Sequence, residues 1–171
     1  KDFDDAVSIN TEDGRTTVWI HIADVSHYVR PHDHIDTEAR FRGTSVYLPT
    51  GVIPMLPKSL SEDLCSLKEN VKRLAVSTKI LFDQDMNVSE WEHVNSIIMV
   101  NRNLTYDQVN EWIEEGTAPY SDLWKLAAAL EKNYTRLRLE TPERRIRYTS
   151  ETEIDVDMKR PTKATRLIEQ L

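Results

Sequence analysis

Apolar and polar positions alternate along the front half of the chain and recur at helical spacing along the back half. Residues 17–25 alternate and are rich in β-branched side chains, which predicts a strand. Residues 73–82 predict a second long strand, and the turn-rich segment 83–87 joins it as a hairpin to a third, from 88 to about 100. Between the first two, residues 36–41 suggest a short helix and the proline-rich stretch 49–58 an ordered loop. Further on, Thr105 is placed to cap a helix, with Gln108 completing a capping box and Gly116 ending it. A longer helix is predicted from Ser121 to about Leu139, with Leu123, Trp124, Leu126, Ala127, Leu130, Tyr134 and Leu137 on its apolar stripe and Pro142 beyond its end. Short strands over 145–148 and 153–156 precede a last helix from Thr162. Such an order is not a βαβ repeat. It predicts an α/β protein of the α+β type, a mixed, mainly antiparallel sheet with helices packed on it.

Composition narrows the class. The 171 residues are in range of one domain, and 39% hydrophobic content supports a core. No apolar run approaches the ~18 residues of a membrane span, and no secretory signal pattern is present. The single cysteine, Cys65, excludes an internal disulfide and suits a reducing, cytoplasmic compartment, where it reads as a small buried apolar residue. The Lys-Asp start, without a methionine or a lead-in strand, suggests a piece of a longer protein.

A net charge of −7 argues at first against a nucleic-acid partner. Distribution changes the picture, because ten of the 22 basic residues fall between Lys132 and Arg166. Acidic residues are interspersed there, so the segment reads either as a solvated face or as a one-sided basic groove.

The chemistry concentrates at the start, where Asp2, Asp4 and Asp5 crowd around Phe3. Carboxylates this close raise one another's pKa, and a hard divalent cation such as Mg²⁺ or Mn²⁺ is the usual compensation. In extended chain Asp2 and Asp4 share a side and Asp5 takes the other; a turn or bulge at residues 3–5 would bring all three together. A solvated acidic loop is the bland alternative. An EF-hand loop fails, since Val7 and Asp13 stand where glycine and glutamate are needed. An aspartyl-phosphate phosphatase would need an apolar strand upstream, which lies outside the chain. His32-Asp33-His34 lacks the partners of a zinc site and reads as a polar loop, while His21 and His27 read as residues that orient neighbours.

Several motifs frame the cluster. They are Val18-Trp19-Ile20-His21-Ile22-Ala23-Asp24-Val25, Arg42-Gly43-Thr44-Ser45-Val46-Tyr47-Leu48-Pro49, Ile53-Pro54-Met55-Leu56-Pro57, Asp63-Leu64-Cys65-Ser66-Leu67 and Leu104-Thr105-Tyr106-Asp107-Gln108-Val109. In this order and spacing the chain resembles the N-terminal part of the RNB catalytic domain of the RNase II/RNase R exoribonucleases, strongly from Asp2 to about Val109 and more loosely to Glu169. The resemblance implies hydrolysis of single-stranded RNA from the 3′ end, releasing nucleoside 5′-monophosphates with Mg²⁺. It implies that Asp2 and Asp5 serve the metal, that Asp4 is catalytic, and that Tyr106 lies close to the scissile phosphate. Tyr47 matches a tyrosine that stacks on a nucleotide, and Glu169 a glutamate that contacts substrate. Two departures are visible. Leu139 stands near where the family has a second clamping aromatic, and the family's C-terminal arginines and a further upstream aspartate fall outside these residues. The same resemblance implies OB-fold RNA-binding domains elsewhere in the parent chain and an inactive isolated piece. A non-catalytic RNA-binding or scaffolding module with a degenerate site is the alternative.

Overall fold

The computed structural model describes residues 2–133, 143–148 and 154–171. The chain forms two compact units, 1–103 and 104–171.

The first unit is built on a four-stranded antiparallel sheet of order β1-β2-β5-β6. Its strands are β1 (Asp5–Glu12), β2 (Arg15–Ala23), β5 (Lys72–Phe82) and β6 (Val88–Met99). The strand β1 was not among the sequence expectations. Its signal is the Asp13-Gly14 pair, both at positive φ, which closes a two-residue hairpin with Glu12 opposite Arg15. Between β2 and β5 come helix α1 (His34–Arg42), the short hairpin β3 (Val46–Leu48) and β4 (Gly51–Ile53), and a π-helical turn (Leu60–Leu64). Asp33 caps α1 through the Asp36 N–H and Gly43 ends it. The expected loop at 49–58 is thus partly a hairpin.

A core cluster of Ala23, Leu60, Cys65 and Leu67 forms at one end of this sheet, with Phe3, Ala6, Tyr28 and Ile98 packed against it. Val18 and Phe82 are buried further along. A chain of side-chain hydrogen bonds crosses the sheet from Ser8 through His21 and Ser77 to Ser96. Ser96 Oγ donates its one proton to the Ala75 carbonyl at 3.1 Å, so it must accept from Ser77. Ser77 therefore accepts from His21 Nδ1 at 2.7 Å, and His21 Nε2 accepts from Ser8 at 3.4 Å. Both ring nitrogens of His21 are engaged, which orients the imidazole, and burial pushes its pKa down.

The second unit packs α2 (Tyr106–Glu115), α3 (Tyr120–Asn133) and α4 (Lys163–Gln170) on one another through Ile113, Leu123, Leu126, Ala127, Leu130, Ala164 and Leu167. The Thr105/Gln108 capping box and the left-handed Gly116 are as expected, and Thr162 caps α4. The Asn110 side chain adds a second acceptor there, from the Ala164 N–H at 2.8 Å. Strands β7 (Glu143–Tyr148) and β8 (Ile154–Lys159) form an antiparallel pair of their own. The expected continuation of α3 to Leu139 lies outside the described residues. No described helix is long and apolar enough to cross a membrane.

Candidate active site

Residues 2–4 run straight into β1 without the turn or bulge that was expected to gather the carboxylates. Sheet pairing instead continues one residue past Asp5, because the Ala23 N–H donates to the Asp4 carbonyl at 2.9 Å. On the other side the Ser66 hydroxyl accepts from the Phe3 N–H at 3.1 Å, and the Leu67 N–H donates to the Phe3 carbonyl at 2.8 Å. Phe3 packs into the core cluster and anchors the segment from below. The three aspartates are exposed.

Electrostatics centre on Asp4. Burial raises its pKa, and the negative charges of Asp2 and Asp5 raise it further. Cys65 is pushed up by burial and then by the charges of Asp24 and Asp4. Asp24 is already engaged, accepting from Ser26 Oγ at 2.6 Å and the His27 N–H at 3.2 Å.

The donor chemistry fits a hard cation, since Asp2, Asp4 and Asp5 offer only carboxylate oxygens and repel one another without one. Among the described residues no group of three or more His, Cys, Asp or Glu side chains is placed to hold a metal ion by itself. Mg²⁺ does not require one, because it is commonly held by one or two carboxylates with water and substrate phosphate completing the shell.

The other candidates occupy different places. Tyr47 lies on the β3–β4 hairpin opposite Val52 and is 69% exposed, so it is not a core residue. The hairpin is fastened at its base by Arg42 Nη1 to the Pro54 carbonyl at 2.8 Å and by the Met55 N–H to Ser45 Oγ at 2.9 Å. Tyr106 opens α2 and is exposed, and Glu169 is exposed on α4. Both belong to the second unit, so Asp2, Asp4, Asp5 and Tyr47 share one unit and Tyr106 and Glu169 the other. Leu139 lies outside the described residues. In the basic segment, Arg145 and Arg147 of β7 stand opposite Asp157 and Asp155 of β8, and Lys163 pairs with Glu114 at 3.4 Å. His32-Asp33-His34 is accounted for by the α1 cap, and hydrogen bonds from the Asp36 and Arg30 N–H groups hold the Asp33 carboxyl low.

The family profile for the RNB domain matches residues 1–171. The chain belongs to the RNB family. It is 44% identical to ribonuclease R of Chlamydia pneumoniae over 142 residues, which is 82% of this chain and 21% of that protein. It thus spans about a fifth of the length of that curated relative. In structure it resembles Mycoplasma genitalium RNase R in complex with ribose-methylated single-stranded RNA, with a TM-score of 0.91 and 28% identity, covering 99% of this chain and 29% of that one. The same enzyme in complex with double-stranded RNA gives a TM-score of 0.90 at 28% identity, over 99% of this chain and 32% of the other. The α+β architecture inferred from the hydrophobic pattern is that of the RNase R structures.

Proposed function

We propose that the parent protein of this RNB segment is a hydrolytic 3′-to-5′ exoribonuclease that acts on single-stranded RNA and releases nucleoside 5′-monophosphates. The observation that carries the reading is the Asp2, Asp4, Asp5 run leading into β1 on a backbone hydrogen-bonded to Ser66, Leu67 and Ala23, within an RNB-family fold. Asp2 and Asp5 would hold Mg²⁺, with Mn²⁺ as the alternative ion. Bound there, the ion would supply Lewis acidity toward a non-bridging phosphate oxygen and would lower the pKa of an attacking water. Asp4 would orient the 3′-terminal nucleotide or a second ion. Tyr106 contacts the region of the scissile phosphate, Tyr47 stacks on a base near the 3′ end, and Glu169 contacts the substrate. In each cycle water oxygen bonds to phosphorus, the P–O3′ bond breaks, and O3′ leaves with a proton. Stacking suits an enzyme that must accept any base, because every base presents a π-face. The remainder of the domain and OB-fold domains of the parent would complete the RNA path, and the setting is cytoplasmic, with an organelle as the alternative.

The test is made on the full-length protein. Asp4→Asn keeps the side-chain shape and removes the charge, so monophosphate release from a labelled oligonucleotide should be abolished while RNA binding survives. Chelation of divalent ions should stop wild-type release, and Mg²⁺ should restore it. Near-normal turnover by Asp4→Asn would refute the assignment. RNA binding by the wild type with no release at any Mg²⁺ concentration would favour the non-catalytic module.

A further inference from the structure

Three consecutive peptide planes link the three carboxylates, and each takes part in a hydrogen bond to the rest of the unit. The plane joining Asp2 to Phe3 carries the Phe3 N–H, which donates to Ser66 Oγ at 3.1 Å. The plane joining Phe3 to Asp4 carries the Phe3 carbonyl, which accepts from the Leu67 N–H at 2.8 Å. The plane joining Asp4 to Asp5 carries the Asp4 carbonyl, which accepts from the Ala23 N–H at 2.9 Å. Two of these bonds are backbone to backbone and indifferent to side-chain identity. The Ser66 bond alone among the three requires a particular side chain.

We propose that Ser66 is a positioning residue for the carboxylate cluster, with Arg73 setting the turn that presents it. The proposal rests on the reading of Asp2, Asp4 and Asp5 as the hydrolytic site. Ser66 is 0% exposed, so its contact with Phe3 is shielded from water. Its approach is made by the π-helical turn Leu60–Leu64, in which the Cys65 N–H reaches back five residues to the Leu60 carbonyl at 2.9 Å. That wide turn directs Cys65, Ser66 and Leu67 inward, where all three are buried. Arg73 Nε donates to the Ser66 carbonyl at 3.0 Å, and its Nη2 meets Asp63 at 3.2 Å. Lys68 holds Asp63 from a second direction at 2.8 Å. Mutual repulsion tends to swing Asp2 away from Asp4, and the Ser66 bond opposes that movement at the plane between Asp2 and Phe3. Hydrolytic geometry is sensitive to displacements of this kind, since a shift of about 1 Å caused from a distance can cost about 100-fold in rate.

The test compares Ser66→Ala, Ser66→Thr and Arg73→Lys in the full-length protein. Alanine removes the acceptor without adding bulk, threonine restores an Oγ, and lysine keeps a cation for Asp63 but cannot also supply the Nε–H. The readouts are kcat and KM on single-stranded RNA, thermal stability, and Mn²⁺ binding followed by loss of the free ion's paramagnetic resonance signal. Ser66→Ala should lower kcat by about 10- to 100-fold with KM little changed, and should weaken Mn²⁺ binding severalfold. Ser66→Thr should recover part of both losses, and Arg73→Lys should move them in the same direction by less. Normal kcat and Mn²⁺ affinity in both Ser66→Ala and Arg73→Lys, whatever their thermal stability, would overturn the proposal. Asp4→Asn serves as the companion control. If Asp4→Asn is inactive while Ser66→Ala is normal, only the positioning role fails; if Asp4→Asn is active, the site itself has been misread.

Discussion

Replacing Tyr47 with alanine separates RNA contact from protein stability, because the structure makes the two effects unequal. Tyr47 is 69% exposed and sits on a hairpin with three residues in each strand, so little packing is lost when its ring is removed. Its cross-strand neighbour is Val52, and such a pair contributes about 0.2–1 kcal/mol. A base stacked on an aromatic ring contributes about 1–3 kcal/mol by alanine substitution. At about 1.4 kcal/mol per tenfold change in Kd, Tyr47→Ala should weaken binding of a short single-stranded RNA by about 5- to 150-fold. The measurement is fluorescence anisotropy on the full-length protein carrying Asp4→Asn, so that the RNA is bound and not degraded. Oligonucleotides of the four homopolymers should show similar losses, since stacking does not read base edges. Thermal unfolding of the variant should follow that of its parent. Unchanged affinity at unchanged stability would refute stacking on Tyr47. A loss confined to one base would refute the sequence-tolerant contact.

The pH dependence should carry the mark of His21. Burial holds its folded-state pKa below the ordinary 6.5, so the folded state binds fewer protons there than the unfolded state. Stability present above 6.5 is then lost as pH falls through that value toward the folded pKa. Thermal unfolding across this range should show the loss, and His21→Gln should flatten it; an identical slope in the variant would refute the assignment. Leu67 is 1% exposed at the centre of the core cluster. Leu67→Ala should cost about 2–5 kcal/mol, read as lost native-state hydrogen-exchange protection in β2 and β5, and full protection would contradict the packing described. Residues 1–171 alone, about a fifth of the length of a curated ribonuclease R, should release no nucleotide at any Mg²⁺ concentration. Monophosphate release by this piece would show that it already contains every essential group.

Local physics made much of this protein legible in its sequence. Thr105 and Gln108 form a capping box because both partners lie within one helical turn, and Gly116 ends the same helix because it adopts positive φ without a Cβ clash. The alternation along β2, β5 and β6 exposes the sheet because its period of two is local. The signal of β1 is equally local, carried by Val7, Ile9 and the Asp13-Gly14 turn, although the aspartates at its start depress strand propensity.

The sequence determined which carboxylates are neighbours along the chain and which family the motifs resemble, since both are written in short-range order. Tertiary structure decided how those carboxylates are held. Residues 2–4 lead into β1 without a turn, and the bonds that fix them come from Ala23, Ser66 and Leu67. Ser66 lies 63 residues from Phe3, and no local pattern marks its hydroxyl as a partner for that amide. Tyr47 carries the same lesson. A tyrosine in a strand has the same sequence signal whether its ring enters a core or faces solvent, and only the packing of the whole unit leaves this one exposed.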